Sequence, residues 1–321
     1  TGTWNPKKEK DIDVEQIEYV FKVNFFGTLN CIKAVEKNLK KTNIYAVYLG
    51  AFILILPLIA FFINAFSFRW FYPQLIPKEL SLQAWVRLKL IPKEGFRSLD
   101  GFLDLWLSNP TIIKALVNSV TIGVIVTIVS IIIALPAARV LGLLNFRFKK
   151  IIIFIMVSPT ILPPIAFVLG LNINFISWGF SGSFWGVCLV HLVPIMPYVV
   201  LTMTGIFANY NPDFEHQART LGANKFRTFY LITLPAIAPG MVVAALFAFL
   251  VSWSQYLLTF LIGAGKIMTL PLLVFSTASS GNPALTAAIS IVFIFPAIVI
   301  LFFTSKFVSG DSSATSGFGK L

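Results

Sequence analysis

The chain has 321 residues, of which 57% are hydrophobic and 12% charged, with 32 phenylalanines and a net charge of +12. Soluble globular domains carry about twice that charged fraction, so the composition excludes an ordinary soluble enzyme and points to the membrane. The basic residues are spread thinly rather than gathered into a stripe, which argues against nucleic acid and for topology setting and contact with membrane lipid.

Residues 1–43 are polar and mixed in charge. Val14, Ile17, Phe21, Phe25, Leu29 and Ile32 recur at near-helical spacing and predict an amphipathic helix on the inner membrane surface. The run VFKVNFFGTLNCIKAV also resembles an internal helix of short-chain dehydrogenases. The glycine-rich cofactor turn and the Tyr-x-x-x-Lys pair of that family are absent from residues 1–43, so the likeness implies no activity.

Six apolar segments then follow, at roughly 44–66, 114–140, 151–171, 184–208, 238–262 and 284–305. Each is long enough to cross a hydrocarbon core, and backbone in lipid must satisfy its own hydrogen bonds, so each is expected to be a helix. The expected fold is an all-α membrane protein with one membrane domain over 44–308 and a disordered polar tail over 309–321. The connection 141–150 carries Arg147, Lys149 and Lys150, and the connection 209–237 carries Arg219, Lys225 and Arg227. On the other side, 172–183 has no Lys or Arg and 263–283 has only Lys266. Positive charge favours the cytoplasmic side, which puts both termini there. The long connection 67–113 dissents with Arg69, Lys78, Arg87, Lys89, Lys93 and Arg97, but loops of that length count for less. Its Trp70, Phe71, Tyr72 and Trp85 suit an interfacial anchor on the outer surface.

Metal chemistry has no support. Cys31 and Cys188 stand alone, and neither His191 nor His216 has ligand spacing to another residue. The stretch LIGAGKI fails as a phosphate loop, because Phe260 stands at the first glycine position and Ile267 follows Lys266. No nucleotide-binding or other cofactor site is expected in this chain.

The connection between the fourth and fifth segments is longer than a turn requires. In NYNPDFEHQARTLG, Asn211 suits a helix cap, Pro212 the first turn, and Asp213 and Glu215 the positive end of the dipole. Phe214, Ala218 and Leu221 fall on one face, and Gly222 stands where a left-handed C-terminal residue is expected. NKFRTFYLI then predicts a second short helix bearing Phe226, Phe229 and Tyr230. The product is a helix, a glycine corner and a second helix, suited to docking a partner.

This spacing resembles the signature of type I binding-protein-dependent ABC importer permeases: Glu-Ala-Ala, three residues, Gly, nine residues, Ile, one residue, Leu-Pro. Gly222 is followed by nine residues and then by Ile232, Thr233, Leu234 and Pro235, and Ala218 fits the second alanine. His216 and Gln217 stand at the Glu-Ala positions, with Glu215 one place earlier, which puts the polar contact of the motif in question but not its geometry. LVNSV at the start of the second segment and SWSQYLLT in the fifth extend the likeness over 44–305. The resemblance implies a bacterial inner-membrane permease, one half of a homo- or heterodimer. Glu215, His216, Gln217, Ala218, Leu221, Gly222, Ile232, Leu234 and Pro235 would form a cytoplasmic coupling helix seated on a separate ATPase subunit that binds the ATP. A periplasmic or extracellular solute-binding protein would deliver a small solute, of the kind taken by polyamine, ferric iron, thiamine or phosphonate permeases.

Helix breakers mark the expected passage. Pro163 and Pro164 in the third segment and Pro194 and Pro197 in the fourth free carbonyls that must face protein or a wet cavity. His191 is the imidazole inside a segment, and Ser252, Gln255 and Thr259 fall on one helical face of the fifth segment. These eight residues are the candidates for a translocation path. An ion-coupled secondary transporter is the alternative reading, but that class expects inverted repeats and buried ionisable groups at the midplane.

Overall fold

The computed structural model describes residues 44–67, 70, 74, 77–91 and 110–308. The helix expected within 1–43 and the tail 309–321 lie outside the described residues. Among the described residues the regular structure is helical, with an isolated antiparallel bridge between Ser67 and Leu80. The chain divides into two compact units, 1–61 and 62–321. What the first unit offers for description belongs to helix α1, Ile44–Ala65, which ends in the second unit.

In the second unit, α2 is the short helix Gln83–Arg87, and α3 runs without interruption from Pro110 to Leu143. Then come α4, Lys149–Ile161; α5, Pro164–Ser177; and α6, Phe184–Ala208. The polar connection holds α7, Asp213–Thr220, and α8, Lys225–Thr228, followed by a π-helical turn, Phe229–Thr233. Helix α9 is Leu234–Trp253, α10 Leu257–Gly263, α11 Leu270–Ser279 and α12 Pro283–Val308.

Five stretches are long and apolar enough to span a membrane: Tyr48–Ala65, Thr111–Leu143, Phe184–Ala208, Lys225–Trp253 and Pro283–Ser305. Helices α4 and α5 reach that length and apolarity only as a pair, bent by 100° where they meet. Helices α3, α6 and α9 pack on one another to form the centre of the unit, with α4 against α6, α10 against α5 and α6, and α12 against α9 and α11. Their core is apolar, with Ile122, Val126, Ile195, Met203, Phe207 and Ile237 fully enclosed. Close approach needs small residues, as expected where lipid gives no hydrophobic drive between helices. A Cβ on Gly142 of α3 would sit 2.5 Å from the Phe207 Cβ and 2.9 Å from the Thr204 carbonyl oxygen of α6. Beside the centre, Trp85 of α2 donates its indole N–H to the Ala65 carbonyl at 2.9 Å and stacks on Phe66.

Three expectations are corrected. The third span is not one helix: α4 and α5 meet at 100°, because Leu162 is extended and Pro163 and Pro164 follow in succession, without N–H donors to continue the ladder. The fifth span starts earlier and stops sooner than 238–262. The second short helix of the connection runs into it through the π turn, and it ends at Trp253, with α10 a separate helix. Ser254 Oγ donates to the Val251 carbonyl and Thr259 Oγ1 to the Gln255 carbonyl, so side chains take over freed backbone acceptors at the break. Ser252, Gln255 and Thr259 therefore do not lie along one helix. Helix α11 was hidden in a connection because ten residues are too few to read as a span.

Candidate functional site

The polar connection folds into a stiff elbow. Asn211 Oδ1 accepts from the Asp213 N–H at 2.9 Å, and α7 begins at Asp213, one residue after the expected start. At its far end the Ala223 N–H reaches back to the Ala218 carbonyl and Gly222 takes φ +87°. An added Cβ at Gly222 would meet nothing within 4 Å, so glycine is required there by backbone conformation and not by space. Asn224 starts the next helix, its Oδ1 accepting from the Arg227 N–H at 2.8 Å.

The π turn follows from Pro235. Pro235 is the second residue of α9 in a helical run that begins at Lys225; it lacks an N–H and its ring crowds the carbonyl behind it, and a wider turn before it relieves the crowding. The Leu234 N–H accordingly donates to the Phe229 carbonyl, five residues back. Thr233, fully buried in this turn, donates its hydroxyl to Glu215 Oε1 at 2.7 Å. The other carboxylate oxygen of Glu215 accepts from Arg139 Nη2 of α3 at 2.7 Å, with Arg219 of α7 at 3.6 Å. Glu215 is 4% exposed. Burial would raise its carboxyl, but the Arg139 and Thr233 hydrogen bonds and the Arg139 and Arg219 charges outweigh it and hold Glu215 below the ordinary carboxylate value. One carboxylate thus joins α3, α7 and the π turn.

Apart from buried Thr228 and half-buried Ala218 and Ala223, the rest of the elbow faces outward. Leu221 is 89% exposed and Phe226 79%, with Phe214, His216, Gln217 and Pro235 also exposed. Ala218, Ile232 and Leu234 are half-buried. Large apolar side chains with nothing over them, on a polar rigid mount, make a surface suited to a protein partner.

Away from the elbow, the helix breaks converge. His191 of α6 is 1% exposed and bonds on both sides of the α9–α10 break, Nδ1 to Ser252 Oγ at 3.0 Å and Nε2 to Thr259 Oγ1 at 2.9 Å. It stitches the break shut from a neighbouring helix. Gln255, held between the stitched ends, lines a cavity of about 220 Å³ together with Thr160, Pro164, Phe167, Pro194 and Tyr198. Of the eight path candidates, Pro164, Pro194 and Gln255 border this cavity; Pro163, His191, Pro197, Ser252 and Thr259 do not. Thr160 and Tyr198 also border it, and neither stands out in an apolar run. Arg139 was missed, although a lone charge near the end of a span was the available signal.

Helices of this length, composition and packing define an all-α, multi-pass membrane protein. Residues 51–309 match the family described as the binding-protein-dependent transport system inner membrane component, and the chain belongs to that family. It is 30% identical over 206 residues to the trehalose transport system permease protein SugB of Mycobacterium tuberculosis, covering 62% of this chain and 75% of that one. It is 27% identical to the spermidine/putrescine transport system permease protein PotC of Haemophilus influenzae, over 64% of this chain and 82% of that one. Among solved structures, a bacterial ABC transporter involved in the import of the acidic polysaccharide alginate shares the fold, with TM-score 0.61 at 16% identity over 95% of this chain and 99% of the other. The chain is an ABC importer permease subunit, a transport component of the membrane.

Proposed function

We propose that this permease couples solute passage to ATP hydrolysis by a separate subunit, through the elbow Asp213–Thr228. The observation that carries this reading is a rigid corner that presents Leu221 and Phe226 almost fully exposed while Glu215 anchors it to α3 and the π turn. A mount fixed on one side and apolar on the other transmits a push; a loose polar loop would absorb it. The Arg and Lys residues of connections 141–150 and 209–237 support a cytoplasmic position for the elbow and both termini in a bacterial inner membrane, where ATP is found. The passage belongs to one half of a permease dimer, homo- or heteromeric, and nucleotide stays on the partner ATPase.

The solute is small and is selected before it arrives, by a binding protein on the outer side. Among the described residues, no Asp, Glu, Lys, Arg or His lines the cavity at the helix breaks, which supports selection of the solute before it arrives. Solutes handled by polyamine, ferric iron, thiamine or phosphonate permeases remain the proposed class.

The test is a pull-down of the chain from membranes in mild detergent. An ATPase subunit is expected with the wild type and should be lost from a Leu221→Asp, Phe226→Asp variant, whose altered side chains lie outside the fold. If no ATPase accompanies the wild type in several detergents, the coupling role is wrong.

A further inference from the structure

Helix α3 is fastened to other elements by side-chain hydrogen bonds near each end. At one end is Arg139, bonded to Glu215 of the elbow. At the other, Asn118 Nδ2 donates to the Met268 carbonyl at 2.8 Å, and the buried Ser119 Oγ accepts from the Leu270 N–H at 2.8 Å. Between them, the Thr127 and Ser130 hydroxyls bond within α3 itself. The two fastenings are about 30 Å apart at the helical rise of about 1.5 Å per residue, which is the thickness of a hydrocarbon core.

The far fastening caps a helix from outside it. Leu270 opens α11, and Thr269 before it gives no side-chain cap, so Ser119 supplies the acceptor instead. The turn leading there is tightly specified. Ala264 and Gly265 both have positive φ, the Lys266 N–H closes on the Gly263 carbonyl, and the Gly182 N–H bonds the Ile262 carbonyl at 2.7 Å. Segment 262–270 is therefore built onto α3 and onto the turn before α6.

Helices α4 and α5 are attached differently. The side-chain hydrogen bonds of Ser158, Thr160, Asn174 and Ser177 all return to their own helix. Among the described residues, the contacts of this pair with α6 and α10 are mainly apolar packing, which can slide without orphaning a buried polar group.

We propose that α3 is a strut that makes the elbow and segment 262–270 move together, while the bent pair α4–α5 shifts against it. Arg139, Asn118 and Ser119 are its positioning residues. Resting on the coupling role given above, this makes segment 262–270 the place on the opposite face where a docked partner is felt at the elbow. Coupling of this kind is reciprocal, so a nucleotide event at the elbow must also be felt at 262–270.

The experiment uses the complete complex with its ATPase in nanodiscs, with Cys31 and Cys188 replaced by alanine. A bimane fluorophore is placed on Lys266→Cys or, separately, on Ile173→Cys of α5, and ATP with vanadate is the probe. In the otherwise unaltered chain both reporters should shift. With Asn118→Leu and Ser119→Ala together, or with Arg139→Leu, the shift at 266 should fall at least fivefold while that at 173 persists. Arg139→Lys should restore part of it. A shift at 266 that survives both sets of changes, or one lost equally at both reporters in variants that still melt cooperatively, would overturn the strut. If the unaltered chain retains no ATPase, the coupling role falls first and the strut with it.

Discussion

Arg139 and Glu215 are 76 residues apart in the chain and 2.7 Å apart in the fold. One ends a span and the other opens the elbow, so this contact orients the elbow on the bundle. Its energetics are those of a partly buried pair: making it gains modestly, and breaking it from one side costs much more. Arg139→Leu alone leaves the Glu215 carboxylate buried with a weaker, 3.6 Å partner in Arg219, and is expected to cost about 3 kcal/mol. Arg139→Leu with Glu215→Leu should cost clearly less than the sum of the two single changes. Melting of the four proteins in one detergent measures the difference, and strict additivity would show that the pair is not coupled.

The same carboxylate sets a pH dependence. Glu215 is held below its ordinary value, so its contribution is complete above that value and is lost as pH falls through the lower folded-state value. The stability gap between the wild type and Glu215→Gln should be widest near neutrality and close on acidification. A gap that is constant or grows in acid would assign the stabilisation to something other than the ionised pair.

His191 holds two helix ends across a break. Replacing it with Leu removes both bonds and leaves the hydroxyls of Ser252 and Thr259 buried. A loss of roughly 2 kcal/mol is expected from two intramembrane hydrogen bonds. Gln255 should also become more accessible, read as faster labelling of Gln255→Cys by a small thiol reagent in the Cys31→Ala, Cys188→Ala background. Unchanged melting and labelling would mean that the break closes without the stitch.

Two glycines should respond differently to alanine. At Gly142 the added Cβ meets α6, so Gly142→Ala must push two central helices apart and should cost roughly 2 kcal/mol. At Gly222 there is open space, and Gly222→Ala pays only for φ +87°, about 1 kcal/mol. The bundle should then keep most of its stability in Gly222→Ala while retention of the ATPase falls, and Gly222→Asn should be milder on both counts. Equal losses of bundle stability at the two sites would contradict this account.

Hydropathy made the spans legible because a membrane-crossing helix must be both long and apolar, and that signal is local. The elbow was legible for the same reason: Asn211, Gly222 and Asn224 act within a few residues of themselves. What could not be read depends on the tertiary fold. Nothing near Ser254 announces a helix end, since the residue that stabilises the break is His191 on another helix. At the departure from the motif, His216 and Gln217 are exposed, while Glu215, one place earlier, makes buried bonds to Arg139 and Thr233 that no local pattern announces. The bend at Leu162 was partly visible in Pro163 and Pro164, but its 100° angle was not.

The π turn turns the interval between Gly222 and Pro235 into a setting of phase. A π turn holds one residue more than an α turn. Deleting one residue from Phe229–Thr233 would restore an ordinary helical turn and change how Thr233 is presented to the elbow, disturbing its bond to Glu215 and with it the Glu215–Arg139 contact. The extra residue in that turn therefore works as a key cut to one fit: it decides how the elbow is seated on the bundle, and so where a partner's thrust enters the membrane.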